Sequence, residues 1–153
     1  MAESEFNYVI YIRTTPEKLW QALTEPEFTR RFWVETVQEC AWKPGATWKM
    51  LAPDGRIADE GQVVEIDPPR RLVVSWRNHL FADAHAEGYS RMSYDIEPAD
   101  GAVKLTVRHT MERKDSVLIG KVSSGWPHLL SSLKSLLETG EPLAGTRKWP
   151  EGL

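Results

Sequence analysis

Near the C-terminus, Gly125-Trp126-Pro127 opens a run carrying Leu129, Leu130, Leu133, Leu136 and Leu137 before Glu138-Thr139-Gly140 closes it. It is the one long apolar stripe at helical spacing in the chain, and a helix that is apolar along one side must lie on another layer. The leucines recur at offsets of one, four, seven and eight residues, which gathers them on one side of a helix while Ser131, Ser132, Lys134 and Ser135 face away. Pro127 suits a first turn, where its missing N–H lacks an intrahelical partner anyway, and Gly140 suits the left-handed residue that ends a helix. Upstream, Asp115 or Ser116 is placed to cap a shorter helical piece through Val122. Gly125 and Pro127 argue for a kink or break between the two pieces.

The partner layer is written in the rest of the sequence, which reads mainly as strand. Phe6, Tyr8, Ile10 and Ile12 alternate with Asn7, Val9, Tyr11 and Arg13, the period-two pattern of a strand with one buried face. Thr14-Thr15-Pro16-Glu17 then gives a capping hydroxyl, a first-turn proline and an acid at the positive helix end, with Leu19, Trp20 and Leu23 as the buried side. Glu25-Pro26-Glu27 starts a second short helix through Phe28 to Phe32, and Trp33 marks its exit. Turn signals follow at Lys43-Pro44-Gly45, Pro53-Asp54-Gly55, Asp67-Pro68-Pro69 and Pro98-Ala99-Asp100-Gly101. They delimit strands at about residues 35–41, 46–52, 57–66, 71–79, 88–97 and 102–112, with Leu80 to Gly88 as a loop. Connections this short join antiparallel neighbours, because parallel pairs need crossovers of about a dozen residues.

Alternation also names the inner face. Ser90, Met92, Tyr94 and Ile96 oppose Arg91, Ser93, Asp95 and Glu97; in the next strand Val103, Leu105, Val107, His109 and Met111 oppose Lys104, Thr106 and Arg108. Leu72, Val74 and Trp76 fall together, as do Trp48 and Met50. The leucine stripe is expected to face Met92, Tyr94, Val107 and His109.

Composition narrows the classes of function. A chain of 153 residues fits one domain over 1–153, with an ordered core at about 5–140 and a C-terminal tail at 141–153. The net charge of −3 disfavours a nucleic-acid partner, which needs clustered cations. Cys40 is the single cysteine, Met1 to Tyr8 lacks the marks of a signal peptide, and no window reaches the roughly 18 apolar residues of a membrane span. A soluble cytoplasmic protein without membrane contact is the expectation.

Three local patterns, in this order, carry a family resemblance over nearly the whole chain. They are Thr15-Pro16-Glu17-Lys18-Leu19-Trp20-Gln21-Ala22-Leu23-Thr24 with Pro26-Glu27; Gly61 to Val64 followed by Glu65-Ile66-Asp67-Pro68-Pro69-Arg70-Arg71-Leu72-Val73 and Ser75-Trp76; and Gly125-Trp126 with Leu133-Lys134 and Leu137-Glu138-Thr139-Gly140. The sequence resembles the SRPBCC superfamily with the START/Bet v 1 helix-grip fold. Its branch is that of the C-terminal domain of the Hsp90 ATPase activator Aha1 and of the calicheamicin self-resistance protein. The resemblance implies an α+β fold in which about seven antiparallel strands curve around the long terminal helix and leave a cavity.

On that basis the candidate ligand-binding residues are Trp33, Trp48, Met50, Trp76, Ser90, Met92, Tyr94, His109, Trp126, Leu130 and Leu133. Each of the tryptophans is either a cavity wall or an ordinary core aromatic, and Trp126 at the helix start is a candidate gate. His109 is either a satisfied inner-face histidine or a polar group that orients a ligand. Arg77 and His79 fall near the cavity mouth. Asp83, His85 and Glu87 alternate as metal ligands sometimes do, yet they sit in the expected loop, so no metal site is assigned. The adjacent Asp59 and Glu60 read as solvated charges. No phosphate loop, nucleophile elbow or cofactor motif occurs, and catalysis has only His109, Tyr94, Glu65 and Glu60 to draw on.

The leading expectation is a monomer or homodimer that binds a small hydrophobic or amphipathic ligand. The alternatives are a chaperone-interaction or stress-response role and, behind it, a cavity enzyme. Aha1-type activators carry a further N-terminal domain, whereas this sequence opens on the helix-grip strand, which counts against Hsp90 activation.

Overall fold

The computed structural model describes residues 2–153. Its elements run β1 (Ser4–Ile12), α1 (Pro16–Thr24), α2 (Pro26–Phe32), β2 (Val37–Glu39), β3 (Thr47–Leu51), β4 (Ile57–Asp67), β5 (Arg71–Asn78), α3 (Ala82–Ala86), β6 (Ser90–Ala99), β7 (Ala102–Met111) and α4 (Val117–Thr139). The seven strands form one antiparallel sheet in the order β1-β7-β6-β5-β4-β3-β2. The sheet curves around α4, which crosses β1 and β7, in the helix-grip arrangement of an α+β fold.

Local chemistry sets the ends of these elements. Thr15 accepts the Lys18 N–H on its hydroxyl at 3.2 Å and Pro16 takes the first turn of α1. Leu19, Ala22 and Leu23 of that helix are buried. The inner faces follow the alternation: Val103, Leu105, Val107, His109 and Met111 of β7 are all buried, and the register pairs His109 with Met92 and Val107 with Tyr94.

The helix α4 departs from the sequence expectation. It runs unbroken from Val117 to Thr139, with Ser116 as its cap and Pro127 inside it, so the break near Gly125 does not occur. An internal proline costs about 3 kcal/mol through the lost bond and the ring clash. Burial on both sides of the proline outweighs that cost. Leu118 and Ile119 are buried before it, Trp126 beside it, and Leu130 and Leu133 after it, each fully buried apolar side chain contributing roughly 1.5–3 kcal/mol. The far end is as expected, with Gly140 at φ 87° and its N–H bonded to Leu136 O at 2.9 Å.

Ser132 does not face away. It is fully buried, and its hydroxyl oxygen accepts the Thr146 hydroxyl at 2.6 Å and the Leu143 N–H at 2.9 Å. These bonds belong to the C-terminal segment, which is no loose tail. Thr146 O receives the Val34 N–H at 2.8 Å and Glu35 receives the Trp149 N–H at 3.0 Å, so the segment covers α4 and the exit of α2. The reason is polar: a serine inside a leucine stripe needs a partner once buried.

The stretch Leu80 to Gly88 is also more ordered than a loop, because it holds α3. Asn78 Oδ1 accepts the N–H groups of Leu80 and Phe81 at 3.0 and 2.9 Å and so starts the turn. Just beyond α3, Glu87 reaches the start of α4, accepting Ser116 Oγ–H at 2.6 Å and the N–H groups of Val117 and Leu118 at 2.7 and 3.4 Å. Burial alone would raise its pKa, but these donors and the Arg113 guanidinium together hold it below the usual carboxylate range. The stability that Glu87 contributes is therefore present above the ordinary carboxylate pKa and is lost as pH falls through the lowered one. Glu87→Ala is expected to cost about 1–2 kcal/mol at neutral pH and less in acid. Urea unfolding midpoints at both pH values check it, and an equal loss at each would remove the charge from the explanation.

Candidate functional site

Where α4 leaves the middle of the sheet, indoles fill the interior and a cleft opens beside them. Trp76 on β5 lies 4.7 Å from Trp48, 6.2 Å from Trp33 and 5.8 Å from Trp126 between ring centroids, and Trp126 lies 6.0 Å edge-on from Tyr94. Contacts of this kind are worth about 0.5–1.5 kcal/mol each beyond the area they bury. The cleft has a volume of about 180 Å³, with Trp33, Trp76 and Trp126 as its inner wall. Leu118, Val122, Gly125 and Leu129 of α4 form a second wall, and Phe81, Asn78, Asp59 and Lys121 complete the lining.

The candidate residues therefore divide. Trp33, Trp76 and Trp126 line the cleft. Trp48, Met50, Met92, Leu130 and Leu133 are sealed in the core at 0–2% exposure, and Ser90, Tyr94 and His109 lie beneath the indoles. Trp126 stands at the centre of the helix rather than at its start, and at 3% exposure it is a wall, not a gate. Burial pushes the Tyr94 phenol above its ordinary value.

His109 is the satisfied histidine. Its Nδ1 accepts the Trp126 indole N–H at 3.2 Å, which places the proton on Nε2. Nε2–H then donates to Ser90 Oγ at 2.8 Å, and Ser90 donates its own proton to Trp76 O at 2.9 Å. Burial without a counter-charge lowers the imidazole to about 3, so it stays neutral. The chain of donors leaves His109 no free atom for a ligand; it holds the Trp126 ring in place.

Asp59 is the carboxyl group of the cleft and not, as its neighbour Glu60 suggests, a solvated charge on the outer face. Its Oδ1 accepts the Trp76 indole N–H at 2.8 Å and the Asn78 amide at 3.0 Å. Burial raises its pKa to about 6, against smaller lowering effects of Asn78, Trp76 and His79. Glu60, one residue on, points to the opposite face, where it meets Tyr89 and, at 3.2 Å, His79. His79 lies with Arg77 and His85 on that outer side, and neither Arg77 nor His79 lines the cleft. Among the described residues no three of His, Cys, Asp or Glu gather as a cation site.

The raised value carries a pH signature. Between the ordinary 3.8 and about 6 the folded state keeps a proton that the unfolded chain has lost, so stability falls as pH rises through that window. Above it the buried charge costs on the order of 2 kcal/mol. Asparagine at this position retains the acceptor for Trp76 and Asn78. Asp59→Asn is expected to stabilise the fold by about that amount near pH 7.5 and by nothing below pH 4. Urea midpoints at the two pH values decide it; destabilisation at both would make Asp59 a structural ion.

Two signals could have revealed this site. Asp59, Gly61 and Val63 alternate onto the inner face of β4, and an unbroken α4 places Leu118, Val122, Gly125 and Leu129 at helical spacing on one side.

The comparisons agree with this geometry. The profile of the family described as "Activator of Hsp90 ATPase homolog 1-like protein" matches residues 13–138. No curated protein matches the chain. An Aha1 dimer from Colwellia psychrerythraea is similar in fold, with 21% identity over 89% of this chain and 97% of its own, at a TM-score of 0.71. MLL2253 from Mesorhizobium loti shares 23% over 87% and 97%, TM-score 0.71. CalU16 from Micromonospora echinospora shares 16% over 89% and 77%, TM-score 0.70. With a profile spanning most of its length and a seven-stranded sheet gripping one long helix, the chain belongs to the AHSA1 family of the SRPBCC, Bet v 1-like fold.

Proposed function

We propose that this protein binds a small apolar or amphipathic molecule in the cleft between α4 and the sheet. The observation that carries the reading is the open space between an indole wall and the Leu118–Leu129 side of α4, a mainly apolar lining whose polar groups are Asp59, Asn78 and Lys121. Ligand pockets combine those properties: a concave apolar surface with few, placed polar groups. The volume of about 180 Å³ is close to the roughly 150 Å³ that holds a benzene-sized guest, which limits the ligand to one or two rings.

Gly125 provides the test. It lines the cleft, and a Cβ added there meets no atom within 4 Å, so a larger side chain starts in open space and occupies part of the cleft. Calorimetric titration with 2-naphthylmethanol, a neutral two-ring probe, is expected to give a measurable affinity that falls at least about tenfold in Gly125→Leu. Gly120→Ala has a similar gain in helix propensity but lies outside the lining, and it should bind as the parent does. No binding by the parent chain, or equal binding by Gly125→Leu, removes the reading.

A chaperone partner is the second reading, favoured by the family's description. Stimulation of the ATPase of the host Hsp90 tests it. An unchanged rate at saturating protein ends it.

A further inference from the structure

The cleft has a polar end that selects among ligands of the right size. Asp59 lines the cleft, its Oδ1 is taken by Trp76 and Asn78, and its Oδ2 accepts no hydrogen bond from any described residue. Two charged or titratable groups approach it. Just after β5 it is His79, whose Nε2 is turned to Glu60 Oε1 at 3.2 Å. On α4 it is Lys121, whose Nζ stands 4.2 Å over the Phe81 ring at the rim. On β3, which pairs Met50 with Asp59, the inward neighbours Trp48 and Met50 carry no charge. No cation among the described residues forms an ion pair with Asp59.

A carboxyl in an apolar wall with one satisfied oxygen and one unused oxygen is an incomplete pair. Asp59 is part-buried, and its Oδ2 is reached through the cleft without a counter-charge or donor from the described residues, the position at which a ligand group can pair with it. Here the protein gives donors to one oxygen only. Resting on the binding reading above, we infer that the cleft takes small ring-bearing primary or secondary amines, with the ammonium donating to Asp59 Oδ2 and the ring against Trp33, Trp76 and Trp126. The ammonium supplies the missing charge and donor together, and the indole faces add cation–π attraction. An alcohol of the same shape supplies only the donor. A carboxylate would bring like charge to Asp59.

Three probes of matched shape separate the possibilities: 2-naphthylmethylamine, 2-naphthylmethanol and 2-naphthoate, titrated calorimetrically into the full chain and into Asp59→Asn. Near pH 8 the amine is expected to bind at least about tenfold tighter than the alcohol, and the naphthoate weakest. In Asp59→Asn the ratio of amine to alcohol affinity should fall from at least about tenfold to near one. Near pH 5, where Asp59 holds its proton, the preference of the parent chain should shrink as well. If the alcohol binds and the amine gains nothing, or Asp59→Asn keeps the preference, the amine assignment is wrong and the binding reading stands. Tightest binding by naphthoate also overturns it and makes Lys121 the selector. If none of the three binds, the binding reading itself fails. The urea midpoint of Asp59→Asn confirms that any loss is not unfolding.

Discussion

Gly61→Ala is expected to lose about 3 kcal/mol or more, enough to leave much of the chain unfolded at 37 °C. Gly61 sits in β4 where the strand crosses closest to β5. A Cβ there would stand 1.8 Å from Ser75 O, 2.5 Å from Ser75 C and 2.9 Å from Ser75 Oγ. Two of those atoms are backbone, so no rotamer change relieves the overlap. β4 and β5 must separate instead, and with them goes the Gln62 N–H bond to Ser75 Oγ at 2.9 Å. The pairs on either side, Glu60 with Arg77 and Val63 with Val74, hold the register that sets Asp59 beside Trp76 and Asn78. Loss of this contact therefore damages the cleft as well as the sheet. The urea midpoint, compared with that of Gly125→Ala in open space, separates a steric cause from a general effect of adding a methyl group. A loss below about 1 kcal/mol would mean that the two strands give way easily here.

Trp126→Ala is expected to cost about 3–5 kcal/mol, the usual range for deleting a buried aromatic ring. Three effects combine. The ring contacts Trp33 at 5.4 Å, Trp76 at 5.8 Å and Tyr94 at 6.0 Å, and its removal leaves a cavity that those rings, fixed by their own partners, close only in part. His109 Nδ1 loses its donor and becomes a buried unsatisfied acceptor. The inner wall of the cleft disappears. Trp126→Phe retains most of the volume and should recover more than half of the stability, while the His109 acceptor stays unpaired. The difference between the two variants in urea separates packing from the hydrogen bond. Should phenylalanine prove as damaging as alanine, the Trp126–His109 bond would outweigh the packing of the ring.

Those two residues also mark what the sequence could convey. The strands were legible because each has one buried face: in β6 and β7 the alternation placed Met92, Tyr94, Val107 and His109 on the inner face, where all four are buried, with Tyr94 and His109 against Trp126 of α4. The C-terminal half of α4 was legible for the same reason. Its N-terminal half was not, because Gly125 and Pro127 are local breakers, and only the burial of Leu118, Ile119 and Trp126 overrides them. Reading the helix as broken hid the cleft wall that begins at Leu118. Asp59 was obscured differently. Two adjacent acids suggest solvent, and only the pairing of β4 with β5, a contact between distant segments, turns one of them towards Trp76. Ser132 shows the same limit, since its partner Thr146 belongs to a segment with no periodicity of its own. The family resemblance pointed to a cavity, and of the four tryptophans that suggested it Trp33, Trp76 and Trp126 line the cleft while Trp48 is sealed in the core.

The most direct test of the central claim is an amide and indole nitrogen–proton spectrum of the labelled chain during titration with 2-naphthylmethanol. The seven tryptophans give seven indole probes spread over the molecule. Binding in the cleft should move the indole signals of Trp33, Trp76 and Trp126 together and saturably, and leave those of Trp20, Trp42 and Trp149 in place. Shifts confined to that second group, or no saturable shift at Trp76 and Trp126, would contradict the account.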